Sequence, residues 1–125
     1  MNTVETNELG IYHYQDGKLH RLDGPAVQRI DGTEYWYKEG LLHRDNGPAV
    51  EYRDGSKMWY QNGIRHRDGG PAIIWASSTS IWYSNGKRHR TDGPAFVGNE
   101  GYDQFWLNGI KVSMEEFLSQ TSQPN

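Results

Sequence analysis

The feature that most constrains this chain is an internal period. His20-Arg21, His43-Arg44, His66-Arg67 and His89-Arg90 recur at a constant step of 23 residues. Gly24-Pro25-Ala26, Gly47-Pro48-Ala49, Gly70-Pro71-Ala72 and Gly93-Pro94-Ala95 keep the same step, as do Gly17, Gly40, Gly63, Gly86 and Gly109. An aromatic pair runs Trp36-Tyr37, Trp59-Tyr60 and Trp82-Tyr83, begins as His13-Tyr14 and ends as Phe105-Trp106. Several columns in phase without an insertion imply one supersecondary unit used five times, the last in part. Such a unit buries its apolar face against its neighbours.

The signals inside the unit are those of strands. Asn62-Gly63 and Asn85-Gly86 are two-residue hairpin turns, since both residue types tolerate positive φ. Asp31-Gly32 and Asp54-Gly55 form a second set of turns, and Gly-Pro before Ala a third punctuation point. The intervening segments are short and rich in Trp, Tyr, Val and Ile. The expected fold class is all-β: tandem 23-residue antiparallel hairpin or meander repeats forming a twisted or curled sheet, closed by a short C-terminal capping helix. A solenoid with one repeat per turn is the alternative stacking. With two-residue loops at Asp54-Gly55 and Asn62-Gly63 and a four-residue loop at 68–71, Val50, Trp59, His66 and Ile73 share the buried face. Ala49, Tyr60 and Arg65, with Glu51, Met58 and Arg67, then lie on the other face. Arg29 would oppose Glu34, Ile74 would pair with Ile81, and Glu51 would reach Arg67.

At 125 residues the chain reads as one domain. Residues 1–8 are expected as a loose arm, 9–112 as five repeats, 113–120 as the capping helix and 121–125 as a polar tail. Ser113-Met-Glu-Glu116 carries the helix: a Ser N-cap followed three residues later by Glu is a capping box. Only 34% of residues are hydrophobic, so the core must be thin, and the 13% that are aromatic must supply much of the burial. A net charge of −3 argues against a dedicated DNA-binding module. The absence of cysteine excludes disulfides and thiolate metal sites. No signal core or run of transmembrane length is present, so the expected location is cytoplasmic, without membrane contact.

The pattern W-Y-x-N-G-x-x-H-R-x-D-G-P-A stands as Trp36-Tyr37 through Ala49, Trp59-Tyr60 through Ala72 and Trp82-Tyr83 through Ala95. It resembles a tandem-repeat family of small bacteriophage proteins, over about residues 12–118. A more distant likeness, in period and glycine turns, is to MORN-type repeats. The first resemblance implies a phage accessory protein that binds a bacterial host protein, as an inhibitor of antiviral defence, in the host cytoplasm. The second implies a scaffold for protein or lipid contact. The chain departs from the pattern where Glu39 replaces the turn Asn, Asn46 and Gly69 replace Asp before Gly-Pro, and Ser77-Ser78 replaces Asp-Gly.

Catalysis is not expected. There is no cysteine nucleophile, Gly-x-Ser-x-Gly elbow, P-loop or dinucleotide fingerprint. An even array of identical groups is the opposite of different groups converging at one point. A metal site is not expected either. With three strands per repeat, successive histidines stand about 14 Å apart, far beyond zinc-ligand distances. No EF-hand spacing is present, and no cofactor is implied. The candidate binding residues are Arg44, Arg67 and Arg90, Tyr37, Tyr60 and Tyr83, and Trp75. Trp75 has no aromatic counterpart in most copies, and makes the third copy apolar on both faces together with Ile74 and Ile81. The leading partner is a host protein. The alternatives are a nucleotide or oligonucleotide on the Arg and aromatic ladder, and self-assembly as a scaffold through open sheet edges. By register, the arginines point outward and the histidines help hold the sheet.

Overall fold

The computed structural model describes residues 1–122. Residues 123–125 of the expected tail lie outside the described residues. The strands in chain order are β1 (Asn2–Asn7), β2 (Gly10–Gln15), β3 (Lys18–Leu19), β4 (Val27–Arg29), β5 (Glu34–Tyr35), β6 (Tyr37–Lys38), β7 (Leu41–Leu42), β8 (Val50–Glu51) and β9 (Lys57–Met58). They continue as β10 (Tyr60–Gln61), β11 (Ile64–Arg65), β12 (Ile73–Ile74), β13 (Ser80–Ile81), β14 (Tyr83–Ser84), β15 (Lys87–Arg88), β16 (Phe96–Val97), β17 (Phe105–Leu107) and β18 (Ile110–Val112). One helix, α1 (Met114–Thr121), ends the described chain. The protein is therefore all-β with a short C-terminal helix, and every strand pairing is antiparallel.

A main sheet runs β1-β2-β4-β5-β8-β9-β12-β13-β16, with β3 paired to β2. The pairs β6-β7, β10-β11, β14-β15 and β17-β18 leave it as separate two-stranded hairpins. The hairpins touch one another through backbone bonds. Gly63 N–H donates to the Leu42 carbonyl, Gly86 N–H to Arg65 and Gly109 N–H to Arg88, each at 2.8 Å. Val50, Met58, Ile73 and Ile81 of the main sheet form the core, and Leu42, Tyr60 and Tyr83 of the hairpins pack on it. The hairpins thus cover one face of the sheet.

The two kinds of turn explain why the chain leaves the sheet and returns. Asn62 and Gly63 both take positive φ, 49° and 79°, giving the two-residue turn expected there. Tyr60 faces Arg65 and Gln61 faces Ile64 across it. The Asp54-Gly55 turn is longer by one residue. Tyr52 N–H donates to the Ser56 carbonyl at 2.9 Å, so the loop is residues 53–55, with Gly55 at φ +94° and the Asp54 carboxylate accepting the Ser56 N–H at 2.9 Å. This is a type I turn followed by a left-handed residue. Ser78 occupies the left-handed place in the third copy at φ +77°.

That extra residue overturns the expected register. Val50 lies opposite Met58, not Trp59, and Ile73 lies between Met58 and Ile81, not opposite His66. Ile81 therefore pairs with Ile73, and Ile74 pairs with Ser80. Glu34 faces Gln28, not Arg29. Since pairing fixes the face, Met58 belongs to the core at 7% exposure, while Trp59 is only half-buried. Glu51 reaches Arg44 at 3.0 Å, not Arg67.

Residues 1–8, expected as a loose arm, instead form β1 and its turn. All six residues of β1 pair with β2 from Asn2–Gln15 to Asn7–Gly10. The Asn7 carboxamide oxygen accepts the N–H groups of Leu9 at 2.8 Å and Gly10 at 3.2 Å, the local bonding that makes Asn a turn former. At the other end the Ser113 N-cap forms as expected, with the Glu116 carboxylate accepting from Ser113 Oγ at 3.2 Å in place of the Ser113 N–H. Ser113 Oγ accepts the Glu116 N–H at 3.0 Å, and Phe117, 5% exposed, packs on Phe105 at 4.6 Å between ring centroids.

Candidate functional site: the outer face of the hairpins

Each copy has two crossings between sheet and hairpin. In the third copy the chain leaves through Trp59, between β9 and β10, and returns through 66–72. The crossings are bonded together: Trp59 N–H donates to the Ala72 carbonyl at 2.8 Å, as Trp36 does to Ala49 and Trp82 to Ala95 at 2.7 Å. Ala26, Ala49, Ala72 and Ala95 are fully buried, so no larger side chain fits there without displacing a neighbour.

The arginine of each His-Arg pair fastens the crossings. The Arg44, Arg67 and Arg90 guanidinium carbons lie 3.9 Å from the ring centroids of Trp36, Trp59 and Trp82. Their Nη1 atoms donate to the carbonyls of Pro48, Pro71 and Pro94 at 3.2, 3.0 and 3.1 Å. A Cβ on Gly70 or Gly93 would stand 2.8 Å from the guanidinium carbon, which accounts for glycine before proline. Burial lowers the Arg67 guanidinium from its usual value. In the first copy His13 stands where the next three have Trp, and its Nε2 lies 3.2 Å from Arg21 Nη1. The neutral ring accepts that bond through its lone pair.

The histidines join one copy to the next. His20 Nδ1 accepts the N–H of Glu39, His43 that of Asn62, His66 that of Asn85 and His89 that of Asn108, at 2.9–3.0 Å. An accepting Nδ1 places the ring proton on Nε2. In the middle copies that proton goes to an aspartate: His43 Nε2 lies 2.8 Å from Asp45, and His66 Nε2 lies 2.9 Å from Asp68. In the outer copies the aspartate stands one residue later and binds the arginine instead, Arg21 Nε to Asp23 at 3.0 Å and Arg90 Nε to Asp92 at 2.7 Å. Those arginines hold the Asp23 and Asp92 carboxyls below the usual range. Despite their His-Asp pairing, neither ring nitrogen of His43 or His66 is free to take a proton from a substrate.

The tyrosines lie on the other side of the hairpins. Tyr60 and Tyr83 pack on the core. The Tyr60 hydroxyl accepts from Arg65 Nη2 at 2.8 Å, and that of Tyr83 accepts from Arg88 Nε at 3.3 Å. Burial raises the Tyr37 hydroxyl, as does the proximity of Tyr35 and Tyr60. Arg44, Arg67 and Arg90 are therefore brought against Trp36, Trp59 and Trp82, and Tyr37, Tyr60 and Tyr83 are turned away from them. Trp75, 38% exposed, sits at the turn after β12 and is not part of the hairpin surface.

What the outer face offers is a run of clefts. One, about 720 Å³, is lined among others by Asp45, Asn46, Gln61, Asn62, Asp68 and Asn85 around Trp59. A second of about 250 Å³ shares Asp45 and Asn46 and extends to Leu22 and Lys38. Asp45 and Asp68 are 75% and 95% exposed, and Ile64 at the rim is 51% exposed. The sequence reading missed Gln61, Asn62 and Asn85. The signal was available, because Trp59 and Gln61 alternate onto one face of a strand. Among the described residues no cluster of three or more metal-ligating side chains occurs. No helix among them is long and apolar enough to cross a membrane.

His13 carries a pH dependence. Burial, and then the Arg21 guanidinium, hold its imidazole below the usual 6.5, opposed by Asp23. The folded state therefore binds fewer protons just below that value than the unfolded chain does. Stability falls as pH drops through 6.5 and levels off once the folded imidazole is also protonated. His13→Trp places there the indole found in the next three copies and removes this group. Urea unfolding at pH 7.5 and 5.5 is expected to show a smaller loss for the variant; an equal loss contradicts the assignment.

No family model, curated protein or solved structure matches the chain.

Proposed function

We propose that the chain is a non-enzymatic binding protein: a tandem-repeat array in which each copy adds two strands to a curled sheet and one hairpin to a covering layer. Its partner is a protein, held on the outer face of the hairpins. The resemblance to phage repeat proteins extends this to a bacterial host protein in the host cytoplasm, with inhibition of antiviral defence as the role.

One observation carries the reading. The repeated cations and histidines are engaged by the fold itself, while the cleft around Trp59 is lined by Asn46, Asn62, Asn85 and Ile64, by Gln61, whose amide also donates to the Arg44 carbonyl, and by Asp45 and Asp68, largely exposed although each meets a histidine. A large cleft with a half-buried aromatic floor and a polar rim suits a protein contact. Phosphate recognition draws less support, because the Arg67 guanidinium is held by Trp59 and Pro71 and the rim carries Asp45 and Asp68.

The test is a photo-crosslinking residue at position 64, on the exposed rim, compared with one at position 53 in the turn on the other side of the unit. In a bacterial lysate the first is expected to yield a discrete protein adduct and the second none. Asn46→Arg with Ile64→Arg, two exposed lining residues, should weaken non-covalent capture about tenfold while the chain stays folded. Equal adducts from both positions would refute the site.

A further inference from the structure

The two ends of the main sheet are finished differently. At the β16 end, Phe96 bridges to Gln104, and β17-β18 beyond it is covered by Phe117 of α1. At the other end β1 is paired to β2 alone. It is also a long strand, six residues where most others have two or three, and every one of its side chains is exposed.

The ladder phase shows which backbone groups are free. Asp16 N–H donates to the Met1 carbonyl at 3.1 Å, so Met1 and Asp16 form a hydrogen-bonded pair. Such pairs alternate along an antiparallel ladder. Thr3, Glu5 and Asn7 therefore bond inward to β2, and Asn2, Val4 and Thr6 point their N–H and C=O groups outward. The opposite strand agrees: His13, paired with Val4, donates its N–H away from β1, to the Ala26 carbonyl at 2.7 Å. Exposed apolar side chains stand at this edge: Val4 at 59%, Ile11 at 37% on the same face, and Leu22 at 74% in the same hollow as Val4.

We propose that β1 pairs antiparallel with β1 of a second copy about a two-fold axis through Val4, making a closed dimer. Only residues of the same phase can face each other across such a pair. An axis at Val4 sets Val4 against Val4 of the second copy and Asn2 against Thr6 in both directions. All three outward residues are then used, for about six backbone hydrogen bonds. No like charges oppose, because Glu5, the one charged side chain of β1, faces Thr3. An axis at Glu5 would set two carboxylates against each other, and one at Thr3 would leave Thr6 unpaired. A self-complementary strand suits a second copy better than an unrelated peptide. The capped far end stops growth at two. This inference does not rest on the partner proposed for the hairpin face.

The experiment is sedimentation equilibrium on the full chain and on Val4→Pro. Proline on an edge is tolerated where the N–H faces solvent, so the variant should stay folded, read by circular dichroism. The wild-type chain is expected to sediment as a dimer and V4P as a monomer. Register is read separately. The chain has no cysteine, and Thr3 faces Glu5 of the second copy in a close non-hydrogen-bonded pair. Oxidising a mixture of Thr3→Cys and Glu5→Cys chains should give mixed disulfide dimers, and either alone few. A monomer at every concentration, a dimer indifferent to V4P, or efficient crosslinking of T3C alone would each overturn the proposal. A monomer that takes up an extended peptide at this edge would overturn it in favour of strand capture.

Discussion

Arg67→Ala is expected to destabilise the fold by about 2–4 kcal/mol, measured by urea unfolding. It removes a cation over an indole at 3.9 Å, worth about 0.5–2 kcal/mol, and a charged hydrogen bond to the Pro71 carbonyl at 3.0 Å, worth about 1.5–3 kcal/mol. The two do not add in full, because the side chain is only partly out of water. Lysine will not substitute, since its ammonium cannot lie flat on the ring while donating sideways to a carbonyl. Gly70→Ala should produce a smaller effect of the same kind, because the new Cβ must push the guanidinium off its seat.

The second large effect is in the core. Ile73 is 3% exposed and lies between Met58 and Ile81 on adjacent strands of the sheet. Ile73→Ala should cost about 2–5 kcal/mol, the range for emptying a packed site of this size. The thin layer raises the share of total stability this represents: just four residues make the central buried cluster. His66→Ile, placed where the sequence reading put a residue opposite Ile73, should bring no compensating gain, since His66 lies in the hairpin layer and spans to Asn85.

How far the sequence was legible follows from these residues. The Asn62-Gly63 turn was readable, because two adjacent positive-φ residues leave little other use for that dipeptide. The Ser113 cap was readable for a similar reason, since its partner lies three residues away in sequence. The Asp54-Gly55 turn was not. The same dipeptide serves a two-residue loop and the last two places of a three-residue one, and the one-residue difference moved Met58 into the core and Trp59 out of it. Ala49 was expected on the face away from the core, yet it is fully buried where the two crossings meet, because the sequence marks Gly-Pro as a turn and says nothing of what closes over the alanine.

The roles of the His-Arg pair were half legible. The histidine was expected to hold the architecture, and it does, although by a bond to the next copy's turn and not by packing under Trp. The arginine was expected to face outward as the binding group. Its contact with Trp depends on two crossings meeting in space, which no local pattern announces. The one clue was compositional: Trp, Arg and Gly-Pro recur together in the middle copies, and where Trp gives way to His13, Arg21 bonds the imidazole instead.

The claim at the centre of this account is that the repeated arginines fasten the fold and leave recognition to the residues beside them. A double-mutant cycle on Arg67→Ala and Trp59→Ala, measured by urea unfolding, addresses it most directly. A coupling energy of about 1–2 kcal/mol is predicted for a cation stacked on a half-buried indole. Additive effects, with no coupling between the two substitutions, would contradict it.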